Sequence, residues 1–199
     1  MVGGRKLEFD KDQALENAMY TFWKKGYAGT SLSDLTKSMG INKPSLYATF
    51  GNKEQLFICA IDYYQQNYAE PRVQLLHAQD ITLKERLTNY IKAICSVQYD
   101  PEKPQGCFVS CGVSEGAGET IPQKAKDTIE KSLVFYEDHL TQFFTKEIEQ
   151  GNLSKKISAE TAALFVITLL HGTAAMARAD KTFEEIKPVL LLAVESLNL

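Results

Sequence analysis

Lys43, Pro44, Ser45, Tyr47, Ala48 and Thr49 fall in one short run, interrupted by Leu46 and followed by Phe50. At helical spacing Leu46 and Phe50 lie on one face, turned inward with Ile41, and the other six face outward. The outward set holds one cation, two hydroxyls, a phenol and a methyl, and no acid. That chemistry suits a nucleic-acid duplex. Lys43 reaches a guanine edge or a phosphate, and Tyr47 donates its hydroxyl to a phosphate oxygen. Ala48 and the methyl of Thr49 pack on thymine methyls. An αα-hairpin with no such role has the same spacing, so the run alone leaves both readings open. The run lacks Arg, whose pairing with guanine is the commonest base-specific contact, and so it names no operator sequence.

Other chemistry is sparser. Cys107 and Cys111 stand four apart, on one face of any helix that carries them. They suit packing best, because free cysteines are among the most buried residues. A redox pair, or metal ligation with His139 or His171, are the competing readings. No Lys or Arg adjoins them and no second spaced pair exists, so neither a metal nor a cofactor is expected. Polar or soft groups on otherwise apolar helices mark where a ligand pocket would lie. Tyr90, Cys107, Phe108 and Cys111 are such groups in the middle of the chain. Tyr136, His139, Phe165 and His171 are their counterparts further on. No Gly-x-Ser-x-Gly, His-Glu-x-x-His or phosphate-binding loop occurs, and Gly116-Ala117-Gly118 does not follow a strand. Catalytic residues are therefore not expected, and the chain does not read as an enzyme.

The elements that must position these groups are all helices, because apolar residues recur every three to four positions and no stretch alternates as a strand. Asp10 opens a helix that ends at Gly26. Ser31, with Asp34 three residues on, opens a second that stops at Gly40. Asn42 caps a third from Lys43, with Pro44 in its first turn, and Gly51 ends it. Asn52 and Gln55 open a fourth that runs past Tyr68 towards Pro71. Leu83 to Val97, Ile129 to Ile148, Ala159 to Ala179 and a last helix near Lys187 complete the set, with Pro188 either delaying or kinking the last one. Residues 99–106 and 112–122 read as linkers rich in Pro and Gly.

The two short helices around Gly40-Ile41-Asn42 match a helix-turn-helix. The run TSLSDLTKSMGINKPSLYATFGNKEQLF closely resembles the DNA-binding domain of the TetR family of bacterial transcriptional regulators. The shared features are Gly26-Tyr27 before Thr30-Ser31, Gly40-Ile41-Asn42, Leu46-Tyr47 with Phe50, and Asn52-Lys53-Glu54 with Leu56-Phe57. Beyond residue 60 the likeness rests on length, helicity and Gly106-Cys107-Phe108. Thr49 departs from the histidine or aromatic common in relatives at that place. The resemblance implies an all-α fold with a three-helix DNA-binding head and a larger helical body for ligand binding and dimerisation. It implies a repressor that binds palindromic operator DNA as a homodimer and is released by a small-molecule effector. It places Thr30 and Ser31 on phosphate, Lys43, Pro44, Ser45 and Tyr47 on the recognition helix, and Lys53 on the DNA backbone. A helical ligand-binding or protein-interaction module that does not read DNA is the alternative.

Length and composition agree with this frame. The chain has 199 residues, 44% hydrophobic and 24% charged, close to ordinary globular values. Residues 1–57 are expected as the head and 58–199 as the body. Through residue 58 there are eight Lys/Arg against six Asp/Glu, whereas the remainder is acidic within a net charge of −3. A mildly basic head on an acidic body permits nucleic-acid binding. Arg5 and Lys6 are candidates for a minor-groove arm. The start of the chain lacks an apolar secretory core, and polar residues interrupt the apolar run from Ala162 to Ala177. A cytoplasmic protein with reduced thiols and no membrane partner is expected. The last two helices, rich in Ala and Leu over more than one face, are expected to form the dimer interface.

Overall fold

The computed structural model describes residues 9–116 and 121–197. Arg5, Lys6, Ala117 and Gly118, named above, lie outside the described residues. Helix α1 spans Lys11–Gly29, α2 Leu32–Met39, α3 Lys43–Phe50 and α4 Lys53–Tyr64. The helical run continues through a π turn, Gln65–Ala69, into α5, Glu70–Val73, and a 3₁₀ turn, Gln74–His77. The body adds α6 (Leu83–Gln98), α7 (Phe108–Gly116), α8 (Gln123–Glu149), α9 (Ala159–Arg178) and α10 (Phe183–Ser196). No strand occurs among the described residues.

The caps explain the boundaries. Asp10 accepts from the backbone of Asp12 and Gln13 at the start of α1. Reciprocal capping boxes open α2 (Ser31 with Asp34), α4 (Asn52 with Gln55), α6 (Thr82 with Glu85) and α10 (Thr182 with Glu185). Each satisfies two amides that the first turn leaves without helical partners.

Three points differ from the sequence reading, each for a local reason, and for the last helix the structure excludes the later start of its two readings. Helix α1 does not end at Gly26 but kinks there, at φ 74°, and resumes for one more turn. Pro71 does not end the helix. The wider π turn sits directly before it, where a regular helix would clash with the proline ring and miss its amide. Gly112 is not in a linker but inside α7. A Cβ there would lie 2.9 Å from Ile129 Cδ1, so the glycine lets α7 press against α8. Helix α10 starts at Phe183 and contains Pro188.

Two apolar clusters form the core. One joins α1–α4 through Phe22, Trp23, Leu35, Leu46 and Phe57, and takes in Phe108, Val109 and Ile129 from the body. The other fills the body around Leu87, Ile91, Phe144, Ala163 and Val166. Phe57 and Phe108 meet edge-to-face at 5.6 Å, so the head core runs unbroken into the body. Helix α9 is long and apolar enough to cross a membrane by length and composition. Here it packs along α8, the most extensive helix pair in the fold, and against α6.

Candidate nucleic-acid interface and ligand cavity

Helix α3 is held by Leu46, fully buried, and Phe50, and this fixes which side faces out. Lys43, Pro44, Tyr47 and Ala48 are exposed, and Ser45 and Thr49 are half-buried beside them. Tyr47 is 48% exposed, a large apolar surface set out in water on a short helix. Asn42 caps α3 by accepting from Ser45 N at 2.8 Å.

The phosphate-facing candidates divide. Ser31 is exposed, with its hydroxyl donating to Asp34 Oδ2 at 2.7 Å. Asp34 also pairs with Lys25, and these contacts hold its carboxyl well below the usual range. Thr30 turns the other way: it is 2% exposed, and its hydroxyl donates to Gly26 O at 2.6 Å. Thr30 therefore closes the end of α1, correcting its assignment to phosphate. Lys53 is half-buried at the start of α4, with its ammonium 4.3 Å from the Tyr27 ring centroid. Burial lowers its pKa, against the pull of Glu115.

In the body, a cavity opens between α4, α6, α7, α8 and α9. Of the sequence candidates, Tyr90, Cys107, Tyr136 and His171 line it. The other four do not. Phe108 is buried against Trp23 and Phe57. Cys111 faces a neighbouring groove and accepts from Arg178 Nη1 at 3.1 Å. His139 Nδ1 bonds Phe135 O at 2.7 Å on α8 itself. Phe165 is 36% exposed on the outward side of α9.

Sequence reasoning missed Tyr64, Tyr68, Arg72 and Gln98 on the cavity wall. Tyr64, Tyr68 and Arg72 stand four apart in succession, the signal of one helical face, but that face crosses Pro71, where the sequence signals a helix end. Tyr64 donates to Cys107 Sγ at 3.4 Å. Burial raises the Tyr64, Tyr90 and Tyr136 hydroxyls well above their ordinary value, so all are neutral phenols. Burial also lowers His171, which keeps its imidazole neutral to lower pH.

Two links join this cavity to the head. Helix α4 carries Lys53 at one end and Tyr64 at the other. Helix α7 follows Cys107 and carries Glu115 in its last turn, whose Oε2 accepts from Tyr27 N at 2.8 Å. Leu164 and Met176 of α9 and Val189, Leu191 and Leu192 of α10 are exposed large apolar side chains. Among the described residues no group of three or more His, Cys, Asp or Glu is arranged to hold a metal ion.

Comparison with known proteins settles the family. The profile described as "Bacterial regulatory proteins, tetR family" matches residues 14–59, and "Tetracyclin repressor-like, C-terminal domain" matches residues 84–189. The chain belongs to the TetR family. As a member it is a DNA-binding transcriptional regulator, and the family is one of regulators, not of enzymes. The chain is 30% identical to the HTH-type transcriptional repressor ComR of Escherichia coli K12, over 94% of its own length and 88% of the relative's. It is 29% identical to the repressor BdcR of the same organism, over 99% and 93%. A cysteine mutant of the TetR-family regulator CifR, complexed with 26bp double-strand operator DNA, superposes with a TM-score of 0.89 at 28% identity. That match covers 98% of this chain and 100% of CifR.

Proposed function

We propose that this TetR-family protein is a repressor that binds palindromic operator DNA as a homodimer and is released when a small molecule enters the cavity of the body. The observation that carries the reading is the recognition helix. Its outward face is free of acid, and its frame is shared with a relative solved on operator DNA. Ser31, Lys43, Pro44, Ser45, Tyr47, Ala48, Thr49 and Lys53 are the residues assigned to DNA. Residues 1–57 act as the DNA-binding part and 58–199 as the ligand-binding and dimerisation part, in the cytoplasm. The exposed apolar side chains of α9 and α10 support the dimer, since exposed apolar patches mark a protein partner.

Repression and release follow from spacing. Two heads on one operator must sit about one helical turn, or 34–36 Å, apart. A ligand that binds better to a state with wider spacing lowers DNA affinity by that preference alone. Helices α4 and α7 both touch the cavity and the head, so a change in the cavity walls moves Lys53 and Tyr27. The test is binding of the full chain to genomic fragments, including the region upstream of its own gene. Specific binding to a palindrome that persists near 150 mM salt is expected, because non-specific binding collapses steeply there. Equal, salt-labile binding to every fragment would overturn the reading.

A further inference from the structure

The cavity wall has two features that its protein neighbours leave unanswered. The Tyr90 hydroxyl is fully buried and has no hydrogen-bond partner, although the residue is only 1% exposed and lines the cavity. Burying a hydroxyl without a partner is costly, so such a group is placed for something that enters. Arg72 is the second. Its Nε donates to Ala93 O at 2.9 Å and one terminal nitrogen donates to Tyr68 O. Its other terminal nitrogen has no acceptor, and no carboxylate pairs with it among the described residues. It is the one formally charged side chain on the described wall, since His171 is kept neutral by burial.

The remaining wall sets the rest of the ligand. Four phenol rings and the aliphatic side chains of Ile94, Val97, Ile167 and Leu170 surround the space. The Gln98 amide is occupied: its nitrogen donates to Leu170 O at 3.0 Å and its oxygen accepts from Thr173 at 2.7 Å. A phosphate dianion would face a single cation. A flat apolar body with one negative charge matches the single cation and the phenol and aliphatic walls.

We infer that the cavity takes a small aromatic monocarboxylate, its carboxylate on the Arg72 guanidinium and the Tyr90 hydroxyl, its ring among the phenol walls. This inference rests on the reading of the cavity as the effector site and names the chemical class of that effector. Trp23, the one tryptophan of the chain, lies edge-on to Tyr64 at 5.3 Å and so reports on this wall.

The experiment titrates the full-length protein with benzoate and phenylacetate, and with their uncharged amides, by calorimetry and Trp23 fluorescence. The acids bind saturably and about tenfold or more tighter than the amides, as a charge-assisted contact in a partly dry site requires. Arg72→Gln abolishes that ratio. Arg72→Lys, which keeps the charge, retains part of it and shows that a fold change is not the cause. Tyr90→Phe weakens the acids several-fold. Amides that bind as tightly as acids, an acid preference that survives Arg72→Gln, or no saturable acid binding at millimolar concentration would each overturn the assignment. Operator binding by the same ligand-free samples is read in parallel. If it persists while the acids fail to bind, only the ligand class falls; if it is absent, the regulatory reading falls.

Discussion

Glu115 and Tyr27, 88 residues apart in the chain, are joined by a 2.8 Å hydrogen bond from the Tyr27 amide to the Glu115 carboxylate. The bond ties the last turn of α7 to the kink in α1. Gly26 stands directly under it: a Cβ there would fall 1.6 Å from Glu115 Oε1, and its φ of +74° disfavours any side chain. Gly26→Ala should therefore both strain the backbone and push the carboxylate away. A loss of about 1–3 kcal/mol is expected, read as a fall in Tm, together with weaker operator binding. Glu115→Ala should weaken operator binding at a smaller cost to Tm. An unchanged melt and affinity for Gly26→Ala would show that the contact couples nothing.

On the recognition helix, Lys43→Ala should reduce operator affinity and lower the salt slope by about one unit if the contact is to phosphate. Its side chain is exposed, so Tm should hold. Leu46→Ala, by contrast, removes a fully buried side chain and should cost about 2–5 kcal/mol. Anisotropy titrations at several salt concentrations, beside thermal melts, separate the two effects.

The body is pinned by Arg86 and Glu147, which pair through two 2.8 Å hydrogen bonds, with Glu147 only 2% exposed. Burial pushes the Glu147 carboxyl up, but hydrogen bonds from Arg86 and Asn152 outweigh it and leave the pKa below its ordinary 4.5. A carboxyl depressed in the folded state stabilises the fold above its unfolded pKa, and that stability is lost as pH falls through the folded value. Acid melts should show this loss below about pH 4.5, and Arg86→Met should flatten it. The single change Arg86→Met should also cost about 3–5 kcal/mol at neutral pH, because it leaves a buried charge unpaired.

The exposed apolar side chains of α9 and α10 predict the oligomer. Leu192 is 67% exposed on α10. Leu192→Glu should yield a monomer in sedimentation experiments and, since half-sites are then bound singly, a large drop in operator affinity. A dimer that persists with unchanged affinity would place the interface elsewhere.

Burial raises the thiols of Cys95 and Cys111 to about 11, the Arg178 guanidinium notwithstanding. Both should react slowly with a disulfide reagent at pH 7, because the thiolate is the nucleophile. Their labelling should accelerate as pH approaches 11 or on denaturation. Fast labelling of Cys111 in the native protein at neutral pH would contradict its raised thiol pKa.

The sequence by itself determined the head. Its caps at Ser31, Asn42 and Asn52, the stop at Gly40, and the inward pair Leu46 and Phe50 are all local chemistry within a few residues of one another. Local rules therefore assigned both the helix-turn-helix and its outward face. Tertiary structure decided the cavity. Tyr64, Tyr68 and Arg72 meet Tyr90, Tyr136 and His171 only because α4, α6, α8 and α9 pack together, and no spacing along the chain records that packing. It decided Thr30 as well, whose hydroxyl is drawn inward by a carbonyl that the Gly26 kink exposes. The same holds for Phe108, which joins the head core, and for Phe165, which faces outward. A side chain's period tells which face it occupies, but what that face meets is set by the neighbouring helices.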